Sequence, residues 1–221
     1  GQDAEKASVQ YIIDGKQSMT VFKDVRTLAA DAVAAANAFL AGQTPEKTTT
    51  YNNGKLDVPA KPSAIVTVTK DNVKAALIDS GYYQAGDFQN LDASAPPAAP
   101  ADKGSVGVVL PTKDEPRWLQ DQAVFVKAGW TPLFSQGDSA KEKANVEALI
   151  SQGIKVLIIC PQDATAAAAA AAAAKAAGIK VISYDRLIRD TDAVDYYVTF
   201  DSMAVGAAWS EYLIKQAGDT K

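Results

Sequence analysis

Residues 178–188 read GIKVISYDRLI, and the fold turns on how this stretch is taken. Val181, Ile182 and Tyr184 make a short, mostly apolar β-run, the pattern of a strand covered on both faces. The run stops at Asp185-Arg186. In an open α/β sheet the carboxyl ends of the parallel strands border the crevice where ligands sit. A carboxylate beside a guanidinium at such an end can hold the hydroxyls of a polar, uncharged molecule. The alternative at this point is that the pair only finishes the strand and bonds its neighbours, since charged strand ends are common.

Outward from this strand, the sequence from Ser105 onward alternates strands and helices over short links. Strands are predicted at 106–110, 132–134, 155–160, 179–184 and 196–200, with helices at 115–127, 140–151, 163–177 and 203–215. Such alternation predicts an α/β fold with a doubly wound parallel sheet and right-handed crossovers. Within it, Ala166 to Ala174 is an unbroken alanine run, a strong helix former with little volume for the core and no polar face. It is read as a structural helix.

Ahead of this block the pattern is less regular. Residues 1–22 predict a helix and then a strand at 19–22, with Asp3 as N-cap, Val9, Ile12 and Ile13 at helical spacing, and Gly15 as the stop. Residues 23–40 predict an Ala-rich helix closed by Gly42. Residues 44–63 carry turn chemistry at Pro45, Asn52-Asn53-Gly54, Pro59 and Pro62, and are expected to be irregular. A strand at 64–69 follows, then a helix capped by Asp71. Residues 84–104, with Ser94-Ala95-Pro96-Pro97-Ala98-Ala99-Pro100, read as an extended linker and the clearest boundary.

Absences narrow the chemistry. The 221 residues include no histidine, which excludes a Ser-His-Asp triad, a His acid/base pair and any His-bearing zinc site. Cys160 is the single cysteine, so no internal disulfide or thiolate cluster can form. It ends the apolar run 156–159 and reads as a packed, inert thiol. A net charge of −4 gives no reason to expect nucleic acid. No apolar run approaches the ~20 residues of a membrane span, and no signal peptide opens the chain.

The loop after the first strand of the alternating block lacks G-x-G-x-x-G, and neither a P-loop nor a G-x-S-x-G elbow occurs, so no cofactor is expected. That loop instead carries Lys113, Glu115, Arg117 and Trp118. An indole among fork-shaped donors suits a pyranose, whose C–H face lies on an aromatic ring while its hydroxyls take paired hydrogen bonds. The alternative is that Trp118 is a core residue and that Lys113 and Arg117 are solvated.

Gly104-Ser105-Val106-Gly107-Val108-Val109-Leu110-Pro111-Thr112-Lys113 with Arg117-Trp118, together with residues 180–188 and 196–201, resembles the monosaccharide-binding proteins of bacterial ABC importers. The xylose-binding and multiple-sugar-binding group is the nearest in pattern. Residues 1–5, 19–24 and 79–83 resemble the same group. Their order is reversed, since 1–83 resembles the family's carboxyl-terminal end and 104–221 its amino-terminal half. The resemblance therefore implies a circular permutation, with the family's central block absent between Lys221 and Gly1. It implies an α/β type I periplasmic-binding-protein lobe at 105–221 beside an incomplete second α/β lobe. Residues 1–23 and 44–83 would belong to that second lobe, helix 24–43 would pack on the first, and 84–104 would link them.

By the same resemblance, Lys113, Arg117, Trp118, Asp185 and Arg186 of the first lobe would bind sugar, with Asp3 and Lys23 from the second and Glu115 a weaker candidate. The implied ligand is an aldose such as xylose, glucose, galactose or arabinose, the implied partner a membrane ABC permease, and the implied location the periplasm or an extracellular lipoprotein. The unfinished lobe leads us to expect a homodimer or a complementing fragment. Two other readings stand beside this one: an engineered or fragmentary scaffold without ligand, and the effector domain of a sugar-responsive repressor. The repressor would need a helix-turn-helix where 84–104 stands. No nucleophile is paired with a base, so an enzyme is not expected.

Overall fold

A computed structural model describes residues 1–89 and 105–218; most of the expected linker, 90–104, lies outside them. The first part of the chain forms α1 (Lys6–Ile13), β1 (Met19–Phe22), α2 (Val25–Leu40), β2 (Thr49–Asn52), β3 (Asp57–Ser63) and β4 (Val66–Thr69). A π-helical segment, Lys74–Asp79, and a short 3-10 turn, Ala85–Asp87, complete it. The second part runs β5 (Val106–Leu110), α3 (Pro116–Lys127), β6 (Leu133–Phe134), α4 (Ser139–Ser151) and β7 (Val156–Ile159). It continues with α5 (Ala167–Ala176), β8 (Lys180–Tyr184), β9 (Tyr196–Phe200) and α6 (Ser202–Ala217).

The chain divides into two compact units. The larger comprises residues 25–63 and 105–199. Its sheet runs β2-β3-β9-β8-β7-β5-β6, and the pairs within β9-β8-β7-β5-β6 are parallel. Counting from β5, the parallel order is 2-1-3-4-5, so the connections reverse direction between β5 and β7. The apolar runs alternate faces as the pleat requires. Val109, Leu157, Ile159 and Val181 join Val146 and Leu149 of α4 and the small side chains Ala167, Ala170, Ala171 and Ala174 of α5 in one core. On the other face α2 packs on α3, β7 and β8, and Phe125 of α3 meets Tyr184 edge-on at 5.5 Å. The alanine run thus has a packing role, because its spacing lets a helix backbone lie close to the sheet.

Three expectations need correction. Residues 49–63 are not irregular: β2 and β3 form an antiparallel hairpin that extends the large sheet, with Val58 and Ala60 fully buried in its core. The apolar side chains outweigh Pro59 and Pro62, which argue against a strand. The turn is fixed by Asn53, whose side chain accepts from Lys55 and Leu56 N–H while its amide donates to the carbonyls of Ile188 and Thr191. The hairpin therefore belongs with the first lobe, where the second was expected. Conversely, residues 200–218 group with the smaller unit, so the stretch expected as one lobe, 105–221, divides after Thr199.

The smaller unit joins residues 1–24, 64–89 and 200–218. β1 pairs with β4 antiparallel, and Gln2 bridges Val21 in parallel on β1. Phe22, Val68, Val73, Leu77 and Phe88 form one cluster, and Met19, Val21 and Val205 another. The third correction is local. Asp3 does not cap α1; it sits at φ 68° and Glu5 takes the N-cap position. Likewise Asp71 caps no α-helix, since the π-helical segment begins three residues later and Asn72 accepts the Thr69 N–H instead.

Candidate functional site

β8 ends in a strained turn. Asp185 has φ 62°, and the Arg186 N–H donates to the Tyr184 carbonyl at 2.6 Å, the i→i+2 bond of a γ-turn. A non-glycine residue keeps such a conformation only where its surroundings over-determine it. Here β9 does so. Asp185 donates its N–H to Val198 O at 2.8 Å, and its carbonyl accepts from the Tyr197 hydroxyl at 2.9 Å. The turn throws the Asp185 carboxylate toward Arg117, whose Nη1 lies 3.2 Å from Oδ1.

Arg117 stands in the first turn of α3, started by Pro116 with its preset φ. One helical turn on, Asp121 Oδ2 lies 3.5 Å from Arg117 Nε. Asp121 is fully buried and its other oxygen accepts from the Tyr184 hydroxyl. Beneath these groups lies the Trp118 indole, with the Arg117 guanidinium 4.1 Å and the Arg186 guanidinium 5.5 Å from its centroid. Arg186 Nη1 also donates to Pro161 O, 3.2 Å away in the loop after β7. The site therefore spans the carboxyl ends of β5, β7 and β8, at the point where the strand order reverses.

The electrostatics follow from burial. Desolvation pushes the Asp121 carboxyl up to about 6, against the opposing pull of Arg117 and of the Tyr184 hydrogen bond. Desolvation also works against the Arg117 charge, but the Asp185 and Asp121 carboxylates outweigh it and raise its pKa. Arg117 stays a cation. Its Nη2 is buried without a hydrogen-bond partner, as is Asp121 Oδ2. A buried guanidinium nitrogen left unpaired is costly, and an incoming hydroxyl oxygen would satisfy it. Burial raises the Cys160 thiol, which keeps it protonated and unreactive.

Of the residues picked out in the sequence, Arg117, Trp118, Asp185 and Arg186 come together. Trp118 is only 1% exposed and its Nε1 donates to Glu115 Oε2 at 2.7 Å, so the indole supports the two arginines and offers no open stacking face. Glu115 is committed to that bond. Lys113 lies over the Phe134 ring at 4.7 Å, toward β6 and away from β8. Asp3 and Lys23 pair at 3.0 Å in the smaller unit, with Lys23 Nζ 5.7 Å from the Phe200 ring centroid. Sequence reasoning missed Asp121, Tyr197 and the Pro161 carbonyl. The i,i+4 spacing of Arg117 and Asp121 was a usable signal, whereas nothing local marks Tyr197. Among the described residues no group of three His, Cys, Asp or Glu side chains is placed to hold a metal ion, and no helix is long and apolar enough to cross a membrane.

Residues 106–221 match the periplasmic binding protein domain family. The chain is 41% identical over 128 residues to the multiple sugar-binding periplasmic receptor ChvE of Rhizobium radiobacter, covering 55% of this chain and 36% of the receptor. It is 32% identical over 123 residues to the D-xylose-binding periplasmic protein of Escherichia coli, covering 53% and 37% of the two chains. A carbohydrate transporter solute-binding protein from Chloroflexus aurantiacus, solved with D-glucose, is 70% identical over 50% of this chain and 34% of its own, with a TM-score of 0.47. The chain thus spans little more than a third of the length of the curated relatives it matches. With the family pattern covering more than half of its residues, the chain belongs to the periplasmic binding protein domain family.

Proposed function

We propose that this chain is part of the solute-binding component of a bacterial ABC sugar importer and that it holds a monosaccharide without covalent chemistry. The observation that carries the reading is the cluster of Arg117, Asp185 and Arg186 at the strand-order reversal, with Arg117 Nη2 still lacking a partner. Charged donors and acceptors fixed by a strained turn and a buried indole are preorganised for hydroxyls, and such bonds contribute about 1.5–3 kcal/mol each. The names of the relatives, multiple sugar-binding and D-xylose-binding, support an aldose such as xylose, glucose, galactose or arabinose as the ligand. Lys113, and Asp3 with Lys23 in the smaller unit, are proposed as further hydroxyl-binding groups. A membrane permease is the proposed partner and the periplasm the proposed location. The segment order is proposed to be permuted relative to the family, because residues 1–5, 19–24 and 79–83 resemble its carboxyl-terminal end yet stand ahead of the matched residues 106–221.

Calorimetric titration with the four sugars tests this. Heat is expected from at least one, and Asp185→Ala is expected to weaken its binding about tenfold or more by removing a charged acceptor and the partner of Arg117. Silence from all four sugars would overturn the proposal. A second reading, self-association, is favoured by the exposed apolar side chains of α6 and is taken up below.

A further inference from the structure

Glu142 is a charged residue where none would be expected. It lies in the first turn of α4 with 1% of its surface exposed, and its Oε2 accepts the Gln162 N–H at 2.6 Å. Gln162 follows Pro161, whose carbonyl accepts from Arg186 Nη1 at 3.2 Å. The next residue, Asp163, accepts from the N–H groups of Thr165 and Ala166 and so fixes the turn that leads into α5. Each of the three residues 161–163 is therefore held by side-chain hydrogen bonds, and the one at Gln162 comes from Glu142.

We infer that Glu142 is a positioning residue for the Arg186 guanidinium, acting through the Pro161-Gln162 loop that it clamps. The inference rests on the carbohydrate reading of the site and adds to it a dependence on the ionisation of a group outside the ligand's reach. Two charges act on Glu142: Arg186 favours its ionised form, and Asp163 opposes it. β5 and β6, against which α4 packs, carry no ionisable side chain, and the single one on α5, Lys175, pairs with Asp192. Burial dominates and brings the carboxyl up to about 7. Ionised, Glu142 accepts the Gln162 N–H as a charge-assisted bond and attracts Arg186; protonated, it does neither as well. Arg186 is accordingly held most firmly above neutral pH.

The test combines sugar titration with a direct view of Arg186. In the wild-type chain, affinity for the sugar giving heat is expected to fall about threefold to tenfold as pH drops from 8 to 6. Glu142→Gln keeps the acceptor and the shape but removes the titration, so that fall is expected to shrink or vanish. The Arg186 Nε–H resonance is expected to move with a midpoint near 7 in the wild-type chain and to stay fixed in Glu142→Gln. This second readout needs no sugar. If the resonance tracks pH and no sugar binds, the positioning role stands and the carbohydrate reading falls. If the resonance is flat in the wild-type chain, or moves equally in Glu142→Gln, the inference is overturned.

Discussion

Between pH 5 and 8 a protein usually changes charge at its histidines, and this chain has none. Among the described residues and apart from the amino terminus, the window belongs to carboxyls displaced upward by burial, Asp121 to about 6 and Glu142 to about 7. Both hold their protons more tightly in the folded chain than in the unfolded one. Their contribution to stability is therefore fully present below about pH 4, and it is lost as pH rises through 6 for Asp121 and 7 for Glu142. We expect urea unfolding to show lower stability at pH 8 than at pH 5, on the order of 2 kcal/mol per carboxyl. Glu142→Gln should remove the upper part of that decline. A profile unchanged across the window would show that neither carboxyl keeps its proton on folding. These two residues also mark where reading the sequence stops. Asp185-Arg186 and Arg117-Trp118 were legible because charge follows directly on an apolar strand or opens the next helix. Asp121 and Glu142 sit among helical polar residues, and only the packed structure shows that they face inward.

At the scale of elements, strand–helix alternation made the parallel part of the sheet readable from sequence, because the apolar runs of β5, β7 and β9 are buried along their whole length. The β2–β3 hairpin was hidden for a physical reason. Its strand contains Pro59 and Pro62, and its turn, Asn52-Asn53-Gly54, looks the same whether it opens a loop or joins two strands. The deciding contacts are remote in sequence. Asn53, fully buried, donates to Ile188 O and Thr191 O, more than 130 residues on, and its backbone carbonyl accepts from Asp190 N–H at 2.7 Å. Asn53→Ala would strand two buried carbonyls and free the turn, and we expect it to cost about 2–4 kcal/mol. Denaturant unfolding measures this directly. A loss below about 0.5 kcal/mol, the size of an ordinary surface change, would mean that the turn holds without its side chain.

For the molecule as a whole, neither unit is continuous in sequence: the chain passes from one to the other after Asp24 and Ser63, again between residues 89 and 105, and after Thr199. The crossing at Asp24 follows the expected boundary to within one residue, whereas those at Ser63 and Thr199 fall inside expected blocks, since a block boundary is visible in composition and a crossing inside a helix–strand run is not. The smaller unit carries the consequence. Its helix α6 buries only Val205 well, while Met203, Leu213 and Ile214 are 84%, 67% and 70% exposed. Beside them a cavity of about 390 Å³ is lined by Met19, Trp209, Tyr212 and Leu213, among others. Single exposed apolar residues are ordinary, but several on one helix beside an apolar hollow form a surface that water wets poorly. Self-association covers such a surface at no cost in folded structure, so sedimentation should show a molecular mass that rises with concentration. Replacing Met203, Leu213 and Ile214 together by serine removes apolar area without touching a buried position and should shift the chain toward the monomer. A wild-type chain that stays monomeric at every concentration would show that the α6 face is tolerated in water as it stands.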